Sequence, residues 1–134
     1  MLARRRFLSR SPFVEKPVEV GSRRWLIVEL DRLTSLIVRR RDRRCVTCGE
    51  QRALQCSHFH SRRYLSVRFD LRNCNAMCVN YNRRHNSDPT LYLRFINECY
   101  GADVVAVLAE TKSRLDKATD EELRRTYERY KDMA

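Results

Sequence analysis

Helical spacing of apolar residues on both sides of a cysteine knuckle predicts an α+β fold, mainly helical, with one small two-stranded hairpin near its middle. Three observations carry this. Leu26, Leu30, Leu33 and Ile37 recur at helical intervals ahead of the cysteines. Short runs with strand character lie between Cys45 and Cys78. Beyond Pro89 come further helical segments, the last opened by a Thr-x-x-Glu box. A chain of 134 residues supports one domain's core.

In order along the chain, residues 1–21 read as a basic, flexible arm: Arg-rich, then Pro12, Pro17 and Gly21, with no periodicity. Residues 22–42 form a helix that Ser22 caps, and Arg39, Arg40, Arg41, Arg43 and Arg44 gather near its C-terminal end, where cations suit the helix dipole. CVTCGEQRALQCSHF reads as a turn and a first strand. YLSVRFDL reads as a second, with Tyr64, Ser66 and Arg68 alternating against Leu65, Val67 and Phe69. A helix follows over about 76–84. Asp88 and Pro89 start another, with Leu91, Phe95 and Cys99 as its apolar stripe and Gly101 as its stop. Helices over 102–117 and from Thr119 onward complete a single domain, 22–134, with a core at 45–86 and C-terminal helices over 88–132. A hairpin this small does not stand alone in water, and a bound metal is the candidate for pinning it.

Formal net charge is +11, and it is lopsided: residues 1–63 carry 16 Lys/Arg against 6 Asp/Glu, residues 64–134 carry 12 against 11. A concentrated surplus made mostly of Arg points to nucleic acid, with an acidic membrane surface as the lesser reading. No apolar run approaches the ~20 residues that span a bilayer, so the expectation is no membrane. The first residues lack the apolar centre of a secretory signal, which points to the cytoplasm; an organelle presequence at 1–13 is the minor alternative. In a reducing compartment six cysteines read as metal ligands or free thiols rather than disulfides.

Cys45-Val46-Thr47-Cys48-Gly49 is a strong zinc-knuckle signal: two thiolates three positions apart reach one tetrahedral ion, and the glycine permits the turn that aims them. Cys78 supplies a third ligand for structural Zn²⁺. Tyr81 stands where the fourth belongs, and a phenol with a pKa near ~10 is a poor zinc ligand. Three outcomes stay open. Cys74, Cys56 or His85 completes the set; water completes a three-cysteine site; or no zinc binds and Tyr81 packs as a core aromatic.

Between the knuckle halves lies the ordered set His58, Asn73, Asn82, Asn86. With CVTCG (45–49), SHFHSRR (57–63), RFDLRNCNAMC (68–78) and NRRHNSDPTLYLRF (82–95), the chain resembles the HNH, or ββα-metal, nucleases. Within them it is similar to the phage recombination endonucleases of the lambda NinG/Rap kind, and the flanking IVRRRD and YGADVV fit the same pattern. The resemblance implies that His58 is the general base and that Asn73 orients it through its side-chain amide. It implies Asn82 as a ligand of a catalytic Mg²⁺ or Mn²⁺, with Asn86 one turn later or His85 as further candidates. Ser57 stands where many such enzymes carry a carboxylate or imidazole, so waters would complete the ion's shell. Tyr81 departs from the family, which has Cys there, and this implies a weakened site.

Arg62 and Arg63 follow the base, Arg83 and Arg84 flank Asn82, and Arg39, Arg40 and Arg41 extend the track, so all seven are candidate DNA contacts. The leading expectation is a metal-dependent endonuclease acting on DNA, branched junctions such as Holliday junctions being the substrate that the resemblance implies. A junction's two-fold symmetry suits a homodimer, and the two C-terminal helices with Tyr127 and Tyr130 are candidates for an assembly surface or, equally, for packing within the chain. The alternative is a non-catalytic, zinc-stabilised nucleic-acid-binding module in which His58 and Asn73 serve only structure. A basic accessory protein for an acidic protein partner is the third reading.

Overall fold

The computed structural model describes residues 16–114 and 118–134. It is mainly helical with one two-stranded antiparallel sheet, as the sequence predicts. In chain order it runs α1 (Arg23–Asp42), β1 (Gln55–His58), α2 (Leu65–Arg68), β2 (Cys74–Met77), α3 (Val79–His85), α4 (Thr90–Tyr100), α5 (Ala102–Lys112) and α6 (Asp120–Met133). Most of the basic arm, residues 1–15, and the end of the helix expected at 102–117 lie outside the described residues.

Helix α1 forms as its spacing demands. The Ser22 hydroxyl accepts from the Trp25 N–H at 3.2 Å, and Arg43, left-handed at φ 61°, ends it. Leu26, Leu30, Leu33 and Ile37 bury one face against Leu123 and Tyr130 of α6 and against Phe69. Each fully buried aliphatic contributes about 1.5–3 kcal/mol, so this stripe outweighs any propensity term in the pairing of the two long helices. The capping box at Thr119 and Glu122 starts α6 as expected. Tyr130 donates to the Phe69 carbonyl and Tyr127 meets the Trp25 ring edge-on at 5.2 Å. Of the two roles open to these tyrosines, both thus take packing within the chain.

The second strand is not where alternation placed it. Residues 65–68 of YLSVRFDL coil into the single turn of α2, which directs Val67 inward, and Phe69 just beyond it is buried too. Six residues of alternation do not separate one helical turn from a strand when both bury the same side chains. The Asp70 carboxylate then accepts from the Arg72 N–H at 2.9 Å and turns the chain into β2. All four residues of β2 are buried, so it carries no polar–apolar alternation to read. It pairs with β1 in the register Gln55–Met77, Cys56–Ala76, Ser57–Asn75, His58–Cys74. Helix α3 accordingly begins at Val79, three residues later than expected.

Helix α4 starts after Pro89, where Asp88 Oδ1 accepts from the Thr90 N–H at 3.1 Å. Its buried residues are Tyr92 and Ile96; Leu91 is 40 % exposed, and Cys99 is exposed too. The stripe thus sits one residue along from the one expected, because the Tyr92 hydroxyl has buried partners. It accepts from Asn75 Nδ2 and donates to the Ser57 carbonyl, both at 3.0 Å. Asn75 is fully buried and fully used, its Nδ2 also donating to the Arg72 carbonyl while its Oδ1 accepts from Tyr100 and Arg41.

Tyr92→Phe leaves one proton of the buried Asn75 amide without its partner. It is expected to lower unfolding stability by about 1–3 kcal/mol in a urea titration; a loss near zero would show that the hydroxyl does not tie α4 to the sheet.

Candidate functional site

The knuckle turns at Gly49 (φ 80°) and is fastened to the sheet by a bond from the Val46 N–H to the Ala76 carbonyl at 2.9 Å. This brings the Sγ atoms of Cys45, Cys48 and Cys78 within 4.8 Å of one another. The Cys48 and Cys78 sulfurs are 3.7 Å apart. Burial opposes ionisation of Cys45, but hydrogen bonds from the Thr47 hydroxyl and from the N–H groups of Cys78, Thr47 and Cys48 outweigh it and bring its pKa down to about 7. The Glu50 N–H favours the Cys48 thiolate, yet desolvation and the sulfurs of Cys45 and Cys78 prevail and push it up to about 11. A thiol held back by two neighbouring sulfurs, as Cys48 is, is what a divalent cation relieves, and the set could hold a metal such as zinc.

Of the expected fourth ligands, none joins this set. Cys56 and Cys74 lie together on the sheet with His58. His85 directs Nε2 to the Phe59 carbonyl at 2.9 Å and packs against the Phe59 and Tyr92 rings. Tyr81 packs beside Cys45 and Cys78, with the Arg84 guanidinium 5.3 Å from its ring centre.

Four of the sequence-predicted residues do meet. His58, Asn82, Arg39 and Arg62 line one cleft of about 450 Å³ between α1 and the sheet, with Asp31 and Thr34 on its α1 wall. A larger cleft, about 560 Å³, lies between α2 and α6 and contains none of the predicted site residues. The smaller one is therefore the candidate site, because the chemistry is there.

His58 stands at the end of β1 with Nε2 3.1 Å from the Arg68 carbonyl. A carbonyl only accepts, so Nε2 carries the proton and Nδ1 is the ring nitrogen with a free lone pair. Burial, the largest influence, holds the His58 pKa below its ordinary value, so the ring is neutral at pH 7.

Asn73 is fully buried behind this residue. The sequence reading expects its amide to orient the His58 ring, but the amide does not reach that ring. Oδ1 accepts from the His60 N–H at 2.8 Å, and Nδ2 donates to the His60 and Val67 carbonyls at 3.1 Å. The amide thus clamps the turn that follows His58.

Asn82 donates Nδ2 to Gln55 Oε1 at 2.9 Å, which leaves Oδ1 without a partner among the described residues. Asn86, at the end of α3, is exposed and outside the cleft, and His85 does not line it either.

The arginines divide into two kinds. Arg41 is anchored inward, donating to the Leu71 and Cys74 carbonyls at 2.8 and 2.9 Å while pairing with Asp42. Arg39, Arg40, Arg63, Arg83 and Arg84 are exposed. Arg62, with 64 % of its side chain exposed, makes one contact to Asp31 at 3.3 Å. Asp31 and Arg68 escaped the sequence reading. Arg68 grips Asp31 with two bonds of 2.9 and 2.5 Å, tying the α1 wall to the segment whose carbonyl holds His58. No spacing pattern marks such a pair, since its members lie 37 residues apart.

A helical scaffold carrying a three-cysteine knuckle beside a basic, histidine-bearing cleft defines a candidate metal-binding protein of the α+β class. Residues 8–134 match the family described as Bacteriophage Lambda NinG protein, and the chain belongs to that family. No curated protein and no solved structure matches it. Among the described residues no helix is long and apolar enough to cross a membrane.

Tyr81→Cys would give the knuckle its fourth thiolate. The variant is expected to bind zinc at least about tenfold more tightly than the parent in a chelator competition, and to release it with a drop of some 5 °C or more in Tm. Equal affinities for the two proteins would mean that residue 81 does not face the ion.

Proposed function

We propose that the cleft hydrolyses DNA phosphodiester bonds, as a metal-dependent endonuclease of the HNH kind. The observation that carries this is the convergence of His58, Asn82, Arg39 and Arg62 on one cleft, with Asn73 buried behind it. His58 takes a proton at Nδ1 from the attacking water, its Nε2–H anchored on Arg68 so that the ring does not turn away. Arg62 and Arg39 grip the phosphate, and the outlying Arg40, Arg63, Arg83 and Arg84 extend the hold along the strand.

The oxygen donor set suits a hard cation: Asn82 Oδ1 together with waters would hold Mg²⁺ or Mn²⁺. Such an ion supplies charge neutralisation at the phosphate and the leaving oxygen. Zinc at Cys45, Cys48 and Cys78 would be structural, stiffening the entry to α3 on which Asn82 stands. Branched recombination intermediates are the substrate that the family resemblance suggests, and a homodimer in the host cytoplasm suits them.

One observation favours the rival reading, a DNA-binding module without catalysis. The cleft's acid, Asp31, is engaged by Arg68 and Arg62, so among the described residues lining the cleft no free carboxylate is at hand for the ion.

His58→Ala separates the two. It is expected to reduce Mg²⁺-dependent nicking of plasmid or junction DNA by at least about 10²-fold while leaving binding in a gel-shift unchanged. Cleavage at the parental rate, or none by the parent itself, would defeat the nuclease reading.

Binding itself should be salt-steep. Replacing Arg39 and Arg62 by Ala is expected to flatten the slope of log K against log salt by about one unit each. An unchanged slope would remove both from the phosphate contacts.

A further inference from the structure

A second group of metal-binding side chains lies on the sheet, apart from the knuckle. His58 stands opposite Cys74 in the strand pairing, and Cys56 lies two residues before His58, on the same face of β1. Their ligand atoms all fall within 4.8 Å of one another. His58 Nε2 and Cys74 Sγ already converge on one point, both donating to the Arg68 carbonyl, at 3.1 and 3.2 Å. Cys74 is fully buried, whereas Cys56 and His58 line the cleft, so the group is closed from behind and open in front.

We propose that Cys56, Cys74 and His58 form a second metal site, for a thiophilic divalent ion such as Zn²⁺, with its fourth position open to the cleft. Two sulfurs and an imidazole are a soft donor set that Mg²⁺ and Ca²⁺ disfavour. Around a tetrahedral zinc, ligand atoms stand roughly 3.3–3.8 Å apart, so loading requires the three side chains to close by about an ångström or less. The ion replaces the two thiol protons, the imidazole proton now directed at Arg68 moves from Nε2 to Nδ1 so that Nε2 ligates as a neutral ring, two thiolates balance the charge, and water completes the shell. Three protein ligands with one open place is the pattern of an exchangeable site, in contrast to a sealed structural one. Loading it engages the imidazole assigned above as the base, so a thiophilic ion competes with hydrolysis. That consequence rests on the nuclease reading; the site itself does not.

The test is titration of the full chain with Co²⁺ in the presence of a phosphine reductant, following the thiolate-to-cobalt and d–d absorption bands. Two equivalents are expected in the parent, with Cys56→Ser losing one and Cys48→Ser losing the other. Cys56→Ser changes one atom at a partly exposed position, and circular dichroism checks that it folds. His58→Ala gives a second handle: the thiolate band persists while the d–d bands change as a nitrogen ligand is lost. A parent that saturates at one equivalent, abolished by Cys48→Ser and untouched by Cys56→Ser, overturns the proposal. A single equivalent that Cys56→Ser abolishes supports it and moves the doubt to the knuckle. Because the readout is absorption by bound cobalt, its failure leaves the nuclease reading standing, and an absence of cleavage leaves the site standing.

Discussion

Two buried asparagines hold the sheet on which the cleft depends. A pair of four-residue strands has too little surface to stay paired in water. Asn75 ties the back of this sheet to α4 through Tyr92, and to α1 through Arg41. Asn73 adds a tie at the strand's entry by closing the turn after His58 on itself. Each amide has its donors and acceptor paired, and this matters, because a buried amide left half-paired costs about as much as several surface contacts supply. The knuckle adds a third fastening through Val46 and Ala76. The sheet is thus held by polar bonds as well as by the apolar clusters around Met77 and Ala76, while a separate apolar cluster joins α1 to α6.

That division explains what could be read from the sequence. The stripe Leu26, Leu30, Leu33, Ile37 and the box at Thr119 are local patterns, and α1 and α6 form where those patterns stand. The knuckle is local too. The strand at Cys74–Met77 is hidden because it is covered on both faces, and its neighbour Leu65–Arg68 shows a false alternation. Long-range bonds accompany β2, whose Asn75 pairs with Tyr92 and Arg41, 17 and 34 residues away, and no window of a dozen residues contains them. The shift of the α4 stripe from Leu91 to Tyr92 has the same origin.

The site was legible to a similar depth. Position along the chain sufficed to nominate His58, Asn82, Arg39 and Arg62, and these share a cleft. Asn73 was expected to orient the His58 ring through its amide, and that amide reaches backbone groups of His60 and Val67 and not the ring. Arg41 reads in sequence like its neighbours, whereas in space it is a strut between α1 and β2. One helical turn decides whether an arginine faces water or a strand end, and a run of charges does not reveal which.

The ion pair between Asp31 and Arg62 bears on how any anion is held. The guanidinium is never bare: a carboxylate from the opposite wall already occupies part of it. An incoming anion would exchange one partner for another there, and the net gain at Arg62 would be a difference between two attractions. The carboxylate that competes with a guest would also be the group that turns the arm toward the opening.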